Sequence, residues 1–472
     1  MLMTLTMYVG LVHAQDVREV VTPWNDPLRT RPDILKQGPT FPGDQTAIDC
    51  AELTPNHDEQ QGLSLADVLD IGLCSNPQVR SSWADIKIQA AALGEAKGAY
   101  LPTVSGGLSR LNDRTSYPGG NLDPTSVHGN AENMGLNWRL FDFGGRAANK
   151  ASATALLEAA MASHSAALQK TIETLVGAFF DAQTARASLE AKQKAETLAR
   201  STVEAAQRRE TRGVGAQTDT LQAMTALAKG TLDKSRAQGD YQKAMAMLIY
   251  AMGLPSNSQL HLSHDVDDNN HLIAQDLQAW LEQAKHTHPA IIAAQRQVES
   301  AQEKVIATES DGLPSIDLGA NVYKNGRPNL GFPTTETTEK VISVTLNIPL
   351  FEGFTRTYKV RGAQAQVEKS QASLDDTRDQ ILMNVVKTYA DTQSALGNLD
   401  ASDMLLQSAQ DAVDSIQRKY DHGASDIVEM LNAQSALADA QAERIRCQAE
   451  WRSARLRLLA SAGVLGRSAL EK

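Results

Sequence analysis

The stretch Leu140-Phe141-Asp142-Phe143-Gly144-Gly145-Arg146 occurs a second time in the chain, as Leu350-Phe351-Glu352-Gly353-Phe354-Thr355-Arg356. Arg356 follows Arg146 by 210 residues, and the same offset relates Gly253 to Gly463. In both copies an alternating apolar and polar run precedes the stretch, and a proline-free, alanine-rich run follows it. The pattern therefore predicts a strand that leads into a long helix, twice, in a duplicated structural unit.

The composition favours long, closely packed helices over a bulky globular core, because only 5% of the 472 residues are aromatic. The net charge of -11 disfavours nucleic acid and anionic lipid surfaces as partners. After residue 14 no stretch approaches the roughly 20 consecutive apolar residues that a membrane-spanning helix needs.

The first 62 residues precede the duplicated part. Residues 1–14 hold an apolar run that ends in Val12-His13-Ala14 and resembles a secretory signal peptide. Residues 15–62 contain six prolines, show no sustained periodicity, and are predicted to form an extended arm. We expect the first structural repeat at 63–262 and the second at 263–472.

Four segments of about ten residues alternate between apolar and polar side chains, near 104–109, 133–140, 315–322 and 341–348. They are predicted to be strands with one apolar face, joined in pairs by exposed loops at Ser116–Asn130 and Gly326–Thr338. Their length matches the roughly 9–11 residues of a membrane-spanning strand.

Five aromatic residues cluster where the predicted strands end, as in the aromatic girdle of a membrane barrel. These residues are Trp138 and the four phenylalanines of the predicted junction between barrel and tunnel, Phe141, Phe143, Phe351 and Phe354. Four strands cannot stand in lipid alone, because an open sheet edge leaves backbone groups unpaired. Three copies would close a 12-stranded barrel wide enough for transport, so the chain is predicted to be a homotrimer whose barrel stands in membrane lipid.

A helix from Arg146 to Arg212 would be about 100 Å long. Its counterpart in the second copy carries heptad-spaced apolar residues with one four-residue step, which predicts coiled-coil packing. These residues are Val360, Val367, Leu374, Ile381, Val385, Thr392, Leu399, Leu406, Val413 and Tyr420. The return helices, near Asp219–Met252 and Glu429–Ala462, are half as long. We therefore expect each to stack end to end on the helix that enters its repeat, with a belt at mid-height.

The chain resembles the TolC family of outer-membrane exit ducts. The resemblance rests on the duplicated plan, the markers Asn76-Pro77 and Leu101-Pro102, the Leu-Phe-(Asp/Glu) junctions and the turn Tyr420-x-x-Gly423. The resemblance implies a mainly α trimeric channel-tunnel with a membrane β-barrel and a periplasmic helical tunnel. It also implies docking on a periplasmic adaptor coupled to an inner-membrane ABC or proton-driven transporter, in type I secretion or multidrug efflux. The segment around Asn76-Pro77 is most similar to the branch with the adenylate-cyclase-toxin exporter.

The gate is predicted at the far end of the helices. The chain reverses at Gly213 and Gly423, where glycine permits a positive φ, and these tips would receive the adaptor. Polar residues follow each turn: Asp219 in the first copy, and Asp426, Glu429 and Asn432 in the second. By resemblance Glu429 forms an acidic ring, Asn432 occupies a second ring position, and Tyr420 holds the inner coil by hydrogen bonding. For Asp219 and Asp426, ordinary helix starts remain an equal alternative.

Cys50 and Cys74 lie outside the repeated pattern, and an exported chain meets an oxidising compartment, so a disulfide between them is predicted. The alternative is two buried thiols.

Three other functions were weighed. A soluble periplasmic coiled-coil scaffold would leave the strands unexplained. A metal site is suggested by a polar cluster in the inter-repeat linker, although a solvated turn explains it as well. These residues are His261, His264, Asp265, Asp267, Asp268 and His271. No catalytic motif is found, so neither an enzyme nor a cofactor is predicted.

Overall fold

The computed structural model describes residues 26–37, 50, 62–116, 119, 124–263, 275–327, 336–422 and 424–464. The signal segment and most of the arm lie outside the described residues. So do five of the six residues of the polar cluster in the inter-repeat linker. The elements, in chain order, are α1 (Ile34–Gln37), α2 (Leu65–Ser75), α3 (Pro77–Gly98), β1 (Thr103–Thr115), β2 (Thr125–Phe141), α4 (Gly145–Thr211), α5 (Gln217–Ala251), α6 (Leu277–Thr287), α7 (Pro289–Ser310), β3 (Ser315–Lys324), β4 (Thr338–Asn347), α8 (Thr355–Asp421) and α9 (Ile427–Ser461).

The same order of elements occurs twice: α2, α3, β1, β2, α4 and α5 are followed by α6, α7, β3, β4, α8 and α9. Helices α4 and α8 each contain 67 residues, and α5 and α9 each contain 35. The predicted bounds of the first long helix, Arg146 to Arg212, differ from those of α4 by one residue at each end. None of the helices in the described ranges is long and apolar enough to cross a membrane.

The four strands form one antiparallel sheet in the order β1-β2-β3-β4. The expected length of about ten residues is correct for β3 and β4, but β1 has 13 residues and β2 has 17. The predicted loop Ser116–Asn130 is therefore too long, because Thr125–Asn130 pairs with Arg110–Thr115. Backbone pairing continues there although the apolar alternation has faded.

The short helices stack end to end, as predicted from their lengths. Gly253, just after α5, has a φ of +73°, and a Cβ there would lie 2.8 Å from the carbonyl oxygen of Ser75. Asn76 caps α3 by accepting from Gln78 N, and its Nδ2 donates to the carbonyl oxygen of Ala251 at 2.8 Å. The start of α3 is thus joined to the end of α5.

The helices form a layer of four columns. The α3/α5 stack packs on one side of α4 and the α7/α9 stack on the other, while α8 packs on the far side of α7 and α9. None of the ten heptad positions of α8 is exposed, which confirms the predicted coiled-coil stripe.

A belt crosses α4 near its middle. Leu63 pairs with Leu262 in a parallel bridge, and α2 packs its apolar side on α4. Two side chains of α4 hold the inter-repeat strand: Arg186 Nη1 donates to Leu262 O at 2.7 Å, and Gln183 Nε2 donates to Ser263 O at 3.2 Å. The repeats are therefore joined at mid-height, where the sequence placed the belt.

Residues 26–37 of the arm pack on α3. Lys97 Nζ donates to the carbonyl oxygens of Leu28 and Arg29, and Leu35 packs against the buried cluster of Ile86, Ala90, Leu93 and Leu157. Cys50 and Cys74 form a disulfide. The arm is thus attached near both ends of the first entering helix.

Breaking this disulfide is expected to lower the free energy of unfolding by about 3 kcal/mol, because it frees a loop of 24 residues in the unfolded chain. Denaturant unfolding with and without reductant measures the difference. The double variant Cys50→Ser/Cys74→Ser is the control and should not respond to reductant. Recovery of both cysteines as free thiols from exported protein would contradict the pairing.

Candidate functional site

The first helix tip lies between α4 and α5. Gly213 has a φ of +75°, the conformation for which glycine was predicted there. Gly215 leaves room for Arg209, because a Cβ at position 215 would lie 3.0 Å from Arg209 Cβ. Asp219 is half-buried in the first turn of α5, and Glu210 accepts a hydrogen bond from Thr220 at 2.6 Å.

The second tip lies between α8 and α9, and its predicted turn residue Gly423 lies outside the described residues. Asp426 is the N-cap of α9 and accepts from Glu429 N at 2.8 Å, which is the helix-start role. Glu429 is exposed, and its carboxylate accepts a hydrogen bond from the Ser425 hydroxyl. Asn432 is exposed three residues further on, and therefore lies on the same face of α9 as Glu429.

Tyr420 joins the two tips through a contact with Arg209. The guanidinium of Arg209 lies 4.9 Å from the centroid of the Tyr420 ring, and Arg209 Nη1 donates to the Tyr420 carbonyl oxygen at 3.3 Å. Within the described residues no partner binds the Tyr420 hydroxyl. The ring is buried against Ile427 and Met430. A cation–π contact therefore joins the two tips within one chain, while the hydrogen bonding predicted for Tyr420 stays a prediction.

The structure places Tyr420, Asp426, Glu429 and Asn432 at one tip. Asp219 lies at the other. Arg209 was missed, because its contact with Tyr420 spans 211 residues and no local pattern marks it.

The four junction phenylalanines form two edge-to-face pairs. The ring centroids of Phe141 and Phe143 are 4.8 Å apart, and those of Phe351 and Phe354 are 5.5 Å apart. All four are exposed where the strands give way to α4 and α8. Phe143 and Phe354 both have a positive φ, of 52° and 64°, which costs a non-glycine residue of order 1 kcal/mol.

Each junction also holds an arginine, Arg146 or Arg356. It occurs in both copies of the repeated stretch, and no role was predicted for it. Arg146 Nη1 donates to Arg139 O at 2.7 Å and its Nε pairs with Asp142 at 3.0 Å, while its guanidinium covers the Tyr100 ring. Arg146 thus ties the end of α3 and the end of β2 to the start of α4. Its counterpart Arg356 donates to Gly312 O at 2.6 Å and, among the described residues, has no ion pair like that of Arg146 with Asp142.

The polar linker cluster can be assessed only in part, because His261 alone of its six residues is described. Within the described ranges no group of three or more His, Cys, Asp or Glu could hold a metal ion.

Known proteins share this architecture. The family model for "outer membrane efflux protein" matches residues 68–254 and 280–464. The chain belongs to the outer membrane efflux protein family. It is 32% identical over 439 residues to protein CyaE of Bordetella pertussis, which covers 93% of this chain and 92% of the relative. It is 27% identical over 268 residues to the alkaline protease secretion protein AprF of Pseudomonas aeruginosa, covering 56% of this chain and 55% of that protein. The crystal structure of the outer membrane protein VceC of Vibrio cholerae has the same fold, with a TM-score of 0.72, 18% identity, and coverage of 84% of this chain and 96% of that one.

Membership of the outer membrane efflux protein family confirms the resemblance to TolC-like ducts, and with it the fold class and the outer-membrane location with a periplasmic helical part. The protein functions in export across the outer membrane. The alternative of a soluble coiled-coil scaffold is therefore wrong. Members of this family are channel proteins.

Proposed function

We propose that three copies of this chain form a passive exit duct without catalytic activity or cofactor. The observation that carries the proposal is the four-stranded sheet, in which β1 and β4 each have one edge unpaired within the described residues. In lipid these edges require partners, and pairing β4 of one copy with β1 of the next closes a 12-stranded barrel. Helices α4 and α8 would continue this barrel as a tube of about 100 Å.

In this proposal the duct receives cargo from an inner-membrane pump, ABC or proton-driven, through a periplasmic adaptor that docks on the tips at Gly213 and Gly423. Likeness to an alkaline protease secretion protein over 56% of the chain supports type I protein secretion as the task. The description of the matching family as an efflux protein supports multidrug efflux as the second candidate.

Deleting the gene separates the two tasks. Loss of a protein from the culture medium with unchanged drug susceptibility supports secretion, whereas increased susceptibility with an unchanged set of secreted proteins supports efflux. If the deletion changes neither, the proposed export role is contradicted.

The gate we propose is a ring of three Glu429 carboxylates around the axis. Glu429 is exposed near the tip, and three copies in a narrow mouth would concentrate negative potential and favour cations. The neighbouring Asn432 lies on the same face, so it marks a second ring that is uncharged in this chain. Asp426 is already used as the helix cap, so we assign it a structural role.

Replacing Glu429 with Gln is expected to reduce cation selectivity and block by multivalent cations, because it removes three charges from the mouth. The reversal potential in planar lipid bilayers under a salt gradient measures the effect. Asn432→Asp should shift it in the opposite direction by adding a second acidic ring, while Asp219→Asn at the other tip should leave it unchanged. An unchanged reversal potential in Glu429→Gln would place the constriction elsewhere.

A further inference from the structure

Two helices at opposite edges of the helical layer each carry an apolar face that has no partner in the described part of the chain. In the half of the layer nearest the tips, α5 forms one edge and α8 forms the other. The exposed residues on these two faces share the same spacing.

On α5 the face includes Leu232, Gly239 and Tyr250, separated by 7 and 11 residues, with the exposed side chains of Arg236 and Lys243 beside them. At 100° per residue all three fall within about 20° of one direction. Tyr250 is 78% exposed, Leu232 is exposed, and no atom lies within 4 Å of the place where a Cβ of Gly239 would stand. Leu248, which packs in the core, points to the opposite side of the helix.

On α8 the corresponding face consists of Met404, Gly397 and Val386, again separated by 7 and 11 residues when read away from the tip. Met404 is 73% exposed, Val386 is exposed, and no atom lies within 4 Å of a Cβ at Gly397. Ala395, which packs against α9, lies on the opposite side. Each edge thus presents a large apolar residue, a glycine, and a second large apolar residue.

The two faces also match in height. The Arg209–Tyr420 contact sets both tips at one level. Counted from Gln217 at the start of α5, the three residues lie 15, 22 and 33 positions up. Counted from Asp421 at the end of α8, their counterparts lie 17, 24 and 35 positions up. The constant difference of two positions corresponds to about 3 Å.

We propose that these faces form the seam between copies, with α5 of one protomer packed antiparallel on α8 of a second copy. Gly239 lies opposite Gly397 and lets the helix backbones approach. Tyr250 packs beside Val386 above this point, and Leu232 packs beside Met404 below it. Burying these side chains removes exposed apolar surface from water at both levels. The inference rests on the proposed trimeric duct and identifies the residues that hold its wall together.

Cysteine cross-linking in the assembled protein tests the seam. In a Cys447→Ser background, the pairs Tyr250→Cys with Val386→Cys and Leu232→Cys with Met404→Cys are matched in height. The pair Tyr250→Cys with Met404→Cys is mismatched by about 24 Å. On mild oxidation each matched pair is expected to give at least ten times as much covalent trimer on a non-reducing gel as the mismatched pair.

Native mass spectrometry of the same samples separates two kinds of failure. Trimers without cross-links in the matched pairs, or with equal cross-linking in the mismatched pair, would overturn the seam but leave the duct standing. Monomers throughout would overturn both.

Discussion

Acidification from pH 7 to pH 4 is expected to lower the free energy of unfolding by up to about 3 kcal/mol for each of two buried histidines, His164 and His288. Burial lowers the pKa of each from 6.5 to about 4. Between these values the unfolded chain binds more protons than the folded one. The contribution of each neutral histidine to the free energy of unfolding is therefore fully present above pH 6.5, and it is lost as the pH falls towards 4.

The surroundings of His164 explain its low pKa. The side chain is fully buried in α4, and its Nδ1 lies 2.8 Å from Ser82 Oγ, whose hydroxyl donates to Val79 O. Nε2 is buried without a partner among the described residues, and the ring meets Trp83 edge-on at 5.2 Å. A second proton would place a charge in an apolar pocket.

His288 uses its Nδ1 as a hydrogen-bond acceptor. It is the N-cap of α7, and its Nδ1 accepts from Ala290 N at 3.2 Å. Protonation would remove this acceptor and set a positive charge at the positive end of the helix dipole. In the first repeat the same N-cap position, before α3, is occupied by Asn76, whose side chain does not titrate.

His288→Asn should therefore retain the cap and remove one of the two pH-dependent contributions, and His164→Gln should remove the other. Helix unfolding followed by circular dichroism in detergent, from pH 7 to pH 4, measures both. The double variant should lose less stability than the wild type by up to about 6 kcal/mol over this range. Equal losses in the two proteins would show that neither histidine is responsible.

The second large effect is expected from Arg209→Ala, which should favour the open gate. The cation–π contact contributes about 1 kcal/mol per protomer. If three protomers open together, the loss is about 3 kcal/mol, which shifts the equilibrium by roughly two orders of magnitude. Recordings in planar bilayers should then show a higher open probability or a larger conductance.

Substitutions of Tyr420 show which part of this contact matters. Tyr420→Phe keeps the ring and the backbone carbonyl, so it should behave as the wild type does, whereas Tyr420→Leu should behave as Arg209→Ala does. If Tyr420→Phe alone opened the channel, the hydroxyl would hold the gate and the proposed role of the ring would be wrong.

The duplicated pattern was sufficient to predict the long helices, since proline-free runs with heptad spacing determine α4 and α8 locally. The end-to-end stacking followed from helix lengths alone. Helix α6 was missed, because its 11 residues follow the polar linker, although it stands at the position of α2 in the second repeat. The extra length of β1 and β2 was missed because backbone pairing needs no apolar alternation.

The contacts at the helix tips were only partly predictable. Helix caps such as Asp426 obey local rules, so the sequence could place them. The contact between Arg209 and Tyr420 joins two repeats at their tips, and neither residue carries a local signal of the other. Tertiary contacts of this kind depend on how the columns pack, which spacing within one helix does not report.

Native mass spectrometry of the protein extracted from outer membranes in mild detergent tests the central claim most directly. The closure of β4 on β1 of the next copy predicts a complex of three chains and no stable monomer. A monodisperse monomer that remains soluble without detergent would contradict the account.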